Sequence, residues 1–230
     1  MPRARLQRGR RGGAPRGRPG RVDRTEGVAQ DPRLEASGIV LAGGRSSRFA
    51  GDKLLTDWDG KPLVEHAIAA VGKACQEVIV VTGPEQVALL ARLSGHVVED
   101  QEPFQGPLAG ARCGLQAAAL PIALVVGGDM PTLVPGVLRL LLERLGVSDA
   151  DAAILGSGAT RQTLPLALRR APALDRAHAL LGAGERSLQA LVEALRAVTI
   201  DESDWRRLDP DAATLRDIDR PADLPEPSPR

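Results

Sequence analysis

The sequence predicts an α/β protein in three layers, a mostly parallel twisted sheet with helices on both faces. Three observations lead to that class. Short runs rich in β-branched and aliphatic residues recur along the 230 residues: Gly38–Leu41, Val78–Thr82, Val97–Glu99, Ile122–Val126, Ala152–Leu155, Leu164–Leu168 and Val198–Ile200. Helical apolar patterns lie between many of these runs, and strands alternating with helices of this length imply crossover units. Glycines, cations and carboxylates stand just past the ends of several runs, where an open sheet of this kind binds its ligand.

In chain order, residues 1–36 come first and are rich in Arg, Gly and Pro. Almost without periodic apolar residues, they bury too little surface to offset their ordering entropy and are expected to form a disordered basic arm. A solvated tail, a translation start placed too early and an arm touching nucleic acid are three readings of it. The domain is expected over residues 37–225, with 226–230 as a flexible tail. Inside it, Pro62 suits a first helical position ahead of Val64, Ile68 and Val71 at helical spacing. Gly106-Pro107-Leu108-Ala109-Gly110 reads as the entrance to a helix. The cleanest stripe is Val134, Val137, Leu138, Leu141, Leu142 and Leu145, with Arg139, Glu143 and Arg144 largely off it.

Composition excludes several classes. A hydrophobic share of 43% is enough to build a core. The run Ile122–Val126 is far shorter than the roughly 18 residues that span a bilayer, so no membrane is expected. Residues 1–36 also lack the apolar stretch of a signal peptide. Phe49, Trp58, Phe104 and Trp205 are the only aromatics, which argues against reading single strands by stacking and against nucleic acid as a partner. Cys75 and Cys113 cannot form a disulfide scaffold and read as reduced packing thiols in a cytoplasmic protein. The net charge of +1 is uneven: residues 1–24 hold nine arginines and Asp23, a net of +8, which leaves 25–230 at −7. Lys53, Lys61 and Lys73 are the only lysines.

Four segments carry the chemistry. The first run enters Leu41-Ala42-Gly43-Gly44, followed by Arg48, Asp52 and Lys53. Glycines after a strand let the backbone approach a ligand and present amide donors to phosphate, while Arg48 and Lys53 supply cations. Neither the P-loop nor the dinucleotide fingerprint fits this spacing, and a solvated glycine turn is the alternative. Asp129, in Gly127-Gly128-Asp129-Met130-Pro131, is a hard oxygen donor suited to Mg²⁺, or else the cap of a helix near Pro131. Together with the cationic loop, the metal reading is favoured. Asp100 precedes the Gly106–Gly110 helix entrance, where an anion is favoured; a plain turn acid is the alternative. Alternation places Asp217 and Asp219 on one face, able to complete a metal site or simply to stand exposed. His66, His96 and His178 show no metal-ligand spacing, and no serine has a nucleophile-elbow context.

These segments, in this order, resemble the MobA-like family of molybdenum cofactor guanylyltransferases over roughly residues 38–225. The family lies within the MobA-like NTP transferases. The resemblance implies a Rossmann-like nucleotidyltransferase fold and transfer of GMP from GTP to molybdenum-loaded molybdopterin, releasing pyrophosphate. It implies nucleotide binding by Leu41, Ala42, Gly43, Gly44, Lys53, Asp100 and Asp129, with Arg48, Lys53 and Asp129 catalytic. Mg²⁺ would sit on Asp129 and Asp219, and Gln162, Pro165 and Leu166 would face the pterin. Implied partners are GTP, molybdopterin, and proteins that handle molybdopterin or chaperone molybdoenzymes. Three departures stand out: Val81 replaces an Asn found in some members, Ala50 occupies a position that is often glycine, and Asp217 and Asp219 replace an Asn-x-Asn pattern. Related functions left open are a CTP-using cytidylyltransferase on molybdopterin and a non-catalytic nucleotide-binding protein of the same fold.

Overall fold

The computed structural model describes residues 34–43, 52–84, 96–100, 106–158 and 160–224. All belong to one unit, Asp31–Arg230. Its strands are β1 (Leu34–Leu41), β2 (Asp57–Trp58), β3 (Lys61–Pro62), β4 (Cys75–Thr82), β5 (His96–Glu99), β6 (Ile122–Gly127), β7 (Ala152–Ser157), β8 (Thr160–Arg161), β9 (Leu166–Arg169) and β10 (Ala197–Ile200). The helices are α1 (Leu63–Gly72), α2 (Pro107–Ala117), α3 (Pro135–Gly146), α4 (Arg170–Gly182), α5 (Leu188–Glu193) and α6 (Glu202–Trp205).

The main sheet runs β10-β7-β9-β6-β1-β4-β5, with β8 added to β7. The pairs β1–β4, β1–β6, β4–β5 and β7–β10 are parallel. β9 is antiparallel to both β6 and β7, because no helix separates β7 from β9 to carry the chain back across the sheet. Period-two alternation then loads both faces. Val40, Val80, Leu124 and Val126 pack on the α1 and α3 side, against Val64, Ile68, Val71, Val137, Leu138 and Leu141. Ile39, Ile79, Ala123 and Val125 face α2, α4 and α5, against Leu108, Leu115, Ala173, Ala177 and Leu191. Each Val, Leu or Ile among them contributes about 1.5–3 kcal/mol when fully buried.

Close approach of α2 to the sheet depends on Gly114, where a Cβ would collide with Ile39 Cγ2. Two arginines tie down helix ends and the segments after them by donating to backbone carbonyls. Arg169 donates from Nε to Ala150 O at 2.9 Å and from Nη2 to Leu145 O at 3.2 Å and Ser148 O at 2.8 Å, closing α3. Arg170 donates to Leu115 O at 2.8 Å near the end of α2.

Several boundaries differ from those the sequence predicts. Leu34, Glu35 and Ala36, expected in the arm, belong to β1, where Leu34 pairs with Cys75 and Ala36 is buried. Residues 1–33 and 225–230 lie outside the described residues. Pro62 caps α1 from β3 rather than opening the helix. The sixth run starts as a strand only at Leu166, after a cis Leu164–Pro165 bond. Among the described residues no helix is long and apolar enough to cross a membrane.

Candidate active site

The carboxyl ends of β1, β4, β5 and β6 meet along one edge of the sheet. Past β1, Ala42 N–H donates to Val81 O at 2.7 Å, so Ala42 stays buried while Gly43 emerges exposed. One strand across, Thr82 donates its hydroxyl to Ala42 O at 3.3 Å, and Asp100 N–H donates to Thr82 O at 2.8 Å. Asp100 is buried at that junction. On the other side, Gly128 N–H donates to Leu41 O at 2.9 Å, which fixes the Gly127-Gly128-Asp129 turn against β1. A Cβ at Gly127 would lie 2.5 Å from Asp129 Oδ1, so a side chain there would displace the Asp129 carboxylate.

Lys53 arrives on a short 3-10 turn, Lys53–Leu55. Asp52 caps it by accepting from Leu54 N–H at 3.1 Å, and Leu54 is buried beneath. That anchorage aims Lys53 Nζ at Asp129 Oδ2, 2.9 Å away, and at Asp219 Oδ1, 3.4 Å away. The Lys53 side chain is only 13% exposed, against 31% for Asp129 and 57% for Asp219.

Asp219 comes from the far end of the chain. Ile218 is fully buried and its N–H donates to Asp129 O at 3.0 Å, leaving Asp217 and Asp219 as exposed flanks. The preceding segment is stitched down as well: Asp209 accepts from Ala213 and Thr214 N–H, Thr214 Oγ1 accepts from Val134 N–H, and Thr132 donates to Ala213 O. Asp223 accepts from Asp219 and Arg220 N–H and closes the turn behind. Burial, then the neighbouring Asp219 and Asp129 charges, push the Asp217 carboxyl above its ordinary range. Two acids therefore pair with one lysine, and Asp217 stands close enough to feel their charges.

The structure thus brings together Leu41, Ala42, Gly43, Lys53, Asp129 and Asp219, with Asp100 at the β4–β5 end of the same edge. The helix-cap reading of Asp129 does not hold. No helix begins near Pro131, since α3 starts at Pro135, and Asp129 pairs with Lys53 instead of capping. Gly44 and Arg48 lie outside the described residues. The β8–β9 connection opens onto the same edge, because Leu166 at the start of β9 pairs with Val125 of β6. Gln162 is held there by its N–H to Leu155 O at 2.9 Å. Leu166, expected to face an acceptor, is a correction: its side chain is fully buried in the α2 and α4 core. Pro165 is buried too. Sequence reasoning missed the Asp52 cap and the Thr82 bridge; the polar residue closing an aliphatic β4 was the available signal for Thr82.

Among the described residues, no group of three or more His, Cys, Asp or Glu is assembled to hold a metal. Asp129 and Asp219, both converging on a cationic Nζ, instead supply two hard oxygen donors. That set suits a divalent cation completed by substrate phosphates, as Mg²⁺ sites generally are.

The mostly parallel sheet, with a lysine and carboxylates gathered at the carboxyl ends of its central strands, has the fold of solved nucleotidyltransferases. The chain belongs to the MobA-like NTP transferase family, whose domain model matches residues 38–199. A probable molybdenum cofactor guanylyltransferase of Chloroflexus aggregans is 39% identical over 194 residues, 82% of this chain and 91% of that protein. The molybdenum cofactor guanylyltransferase of Pseudomonas putida is 36% identical over 173 residues, covering 73% and 88% of the two chains. The crystal structure of molybdopterin-guanine dinucleotide biosynthesis protein A from Archaeoglobus fulgidus shares the fold, with a TM-score of 0.71 at 24% identity over 82% of this chain and 94% of that one.

Proposed function

We infer that this chain is a molybdenum cofactor guanylyltransferase, moving GMP from GTP onto molybdenum-loaded molybdopterin and releasing pyrophosphate. The observation that carries the reading is the Lys53–Asp129–Asp219 cluster at the sheet's ligand edge, in a chain whose relatives of that name are 36–39% identical over most of its length.

In this reaction an oxygen of the pterin phosphate forms a bond to the α-phosphorus while the bond from that phosphorus to the bridging oxygen of pyrophosphate breaks. The electron pair leaves with pyrophosphate. A phosphate nucleophile is already ionised near neutral pH, so the protein's work is positioning and charge neutralisation. Leu41, Ala42, Gly43 and Gly44 would line the nucleotide, with Asp100 further along the edge. Lys53, joined by Arg48, would meet charge growing on the leaving group. Asp129 and Asp219 would hold Mg²⁺, which supplies Lewis-acid neutralisation of phosphate oxygens when bound. Gln162, at the mouth of the β8–β9 connection, would meet the pterin. The reaction belongs in the cytoplasm, with hand-over by molybdopterin-handling proteins or molybdoenzyme chaperones.

The direct test of base choice is calorimetry with Mg²⁺, comparing GTP with CTP, UTP and ATP. Preference for GTP is expected. Preference for CTP would move the chain to cytidylyl transfer on the same site, and no binding by any of the four would leave a non-catalytic protein.

A further inference from the structure

Lys53 holds its ammonium against both carboxylates assigned to the metal, 2.9 Å from Asp129 Oδ2 and 3.4 Å from Asp219 Oδ1. The lysine is not a loosely solvated charge. Its turn is fixed by the Asp52 cap, by buried Leu54 and by Thr56 N–H donating to Lys53 O at 3.2 Å. A divalent cation held by the same two carboxylates would stand close to the Lys53 ammonium that now pairs with both. In a partly buried site, cations that close repel strongly unless anions separate them. Nucleotide phosphates are such anions. They accept a lysine as a point charge and bring oxygen ligands for the metal.

We infer that Lys53 is the internal counter-cation of the metal site: it excludes the free divalent ion and yields Asp129 and Asp219 only when a nucleoside triphosphate offers it phosphate oxygens. Metal and nucleotide therefore enter together, and the two carboxylates stay neutralised between turnovers. This rests on the metal reading of Asp129 and Asp219 given above. It adds to Lys53 a role in the order of filling, separate from its effect on the chemical step.

The test uses the full chain and Mn²⁺ as the probe, with free Mn²⁺ followed by electron paramagnetic resonance and no acceptor present. Lys53→Met should bind Mn²⁺ alone at least about tenfold more tightly than the wild type, because the competing charge is gone. Measured against a protein-free Mn²⁺–GTP blank, GTP should tighten Mn²⁺ binding in the wild type much more than in the variant. Adding Asp219→Asn to Lys53→Met should abolish the gain. Lys53→Gln serves as a second variant, with thermal unfolding reporting that each is folded. Mn²⁺ affinity that is unchanged or weaker in both lysine variants overturns the proposal, as does a gain that survives Asp219→Asn. If no protein binds Mn²⁺ even with GTP, the metal assignment itself falls, an outcome distinct from failure of the exclusion alone.

Discussion

Asp129 and Lys53 are separated by 76 residues yet lie 2.9 Å apart, and at the scale of single residues they carry the account. Asp129 stands at the ligand edge with a side chain 31% exposed, so Asp129→Ala should keep its fold by circular dichroism while losing metal-dependent turnover. Lys53→Ala should lower kcat by about a hundred- to a thousandfold, or about 3–4 kcal/mol, the usual effect of deleting one well-placed charge stabiliser. A change confined to KM would assign Lys53 to ground-state binding instead. Cys75 tests the core. Burial pushes its thiol up to about 12, so the folded state keeps a proton that the unfolded chain releases near the ordinary value of 9.0. Stability from this group is intact below pH 9 and falls between pH 9 and 12, by up to about 1.4 kcal/mol per pH unit. Urea unfolding at pH 8.5 and 10 should show that slope in the wild type and a shallower one in Cys75→Val.

Among the elements, those set by periodicity were legible and those set by pairing were not. The stripe from Val134 to Leu145 gives α3 to within a residue, because an amphipathic helix of that length declares its buried face. The recurrence of β-branched and aliphatic runs likewise located β1, β4 and β6. It does not encode a partner, so the reversed direction of β9 and the extension of β1 back to Leu34 had no signal. Leu166 shows the same limit: a resemblance supplies a position along the chain, but pairing with Val125 turns its side chain into the core. Helix ends are testable here. Arg169→Ala removes three hydrogen bonds to carbonyls at the end of α3 and in the loop after it and should cost about 1–3 kcal/mol. For a chain of this size that is a fall in Tm of roughly 2–12 °C.

For the whole molecule, topology explains why the site gathers residues from opposite ends of the sequence. β1 and β6 are parallel neighbours in the middle of the sheet, so the glycine turn after one and Asp129 after the other open on the same edge. The last stretch of chain returns to that edge through buried Ile218, which places Asp219 166 residues from Lys53 in sequence and 3.4 Å from it in space. The individual carboxylates were readable from their glycine and strand contexts, whereas their convergence on one lysine follows only from the fold. The central claim is guanylyl transfer, and one assay meets it directly: full-length protein with Mg²⁺, molybdenum-loaded molybdopterin and either GTP or CTP, following the dinucleotide product and pyrophosphate. The account predicts the guanine dinucleotide and pyrophosphate in equal amounts from GTP, with little product from CTP. Product from CTP and none from GTP would contradict it.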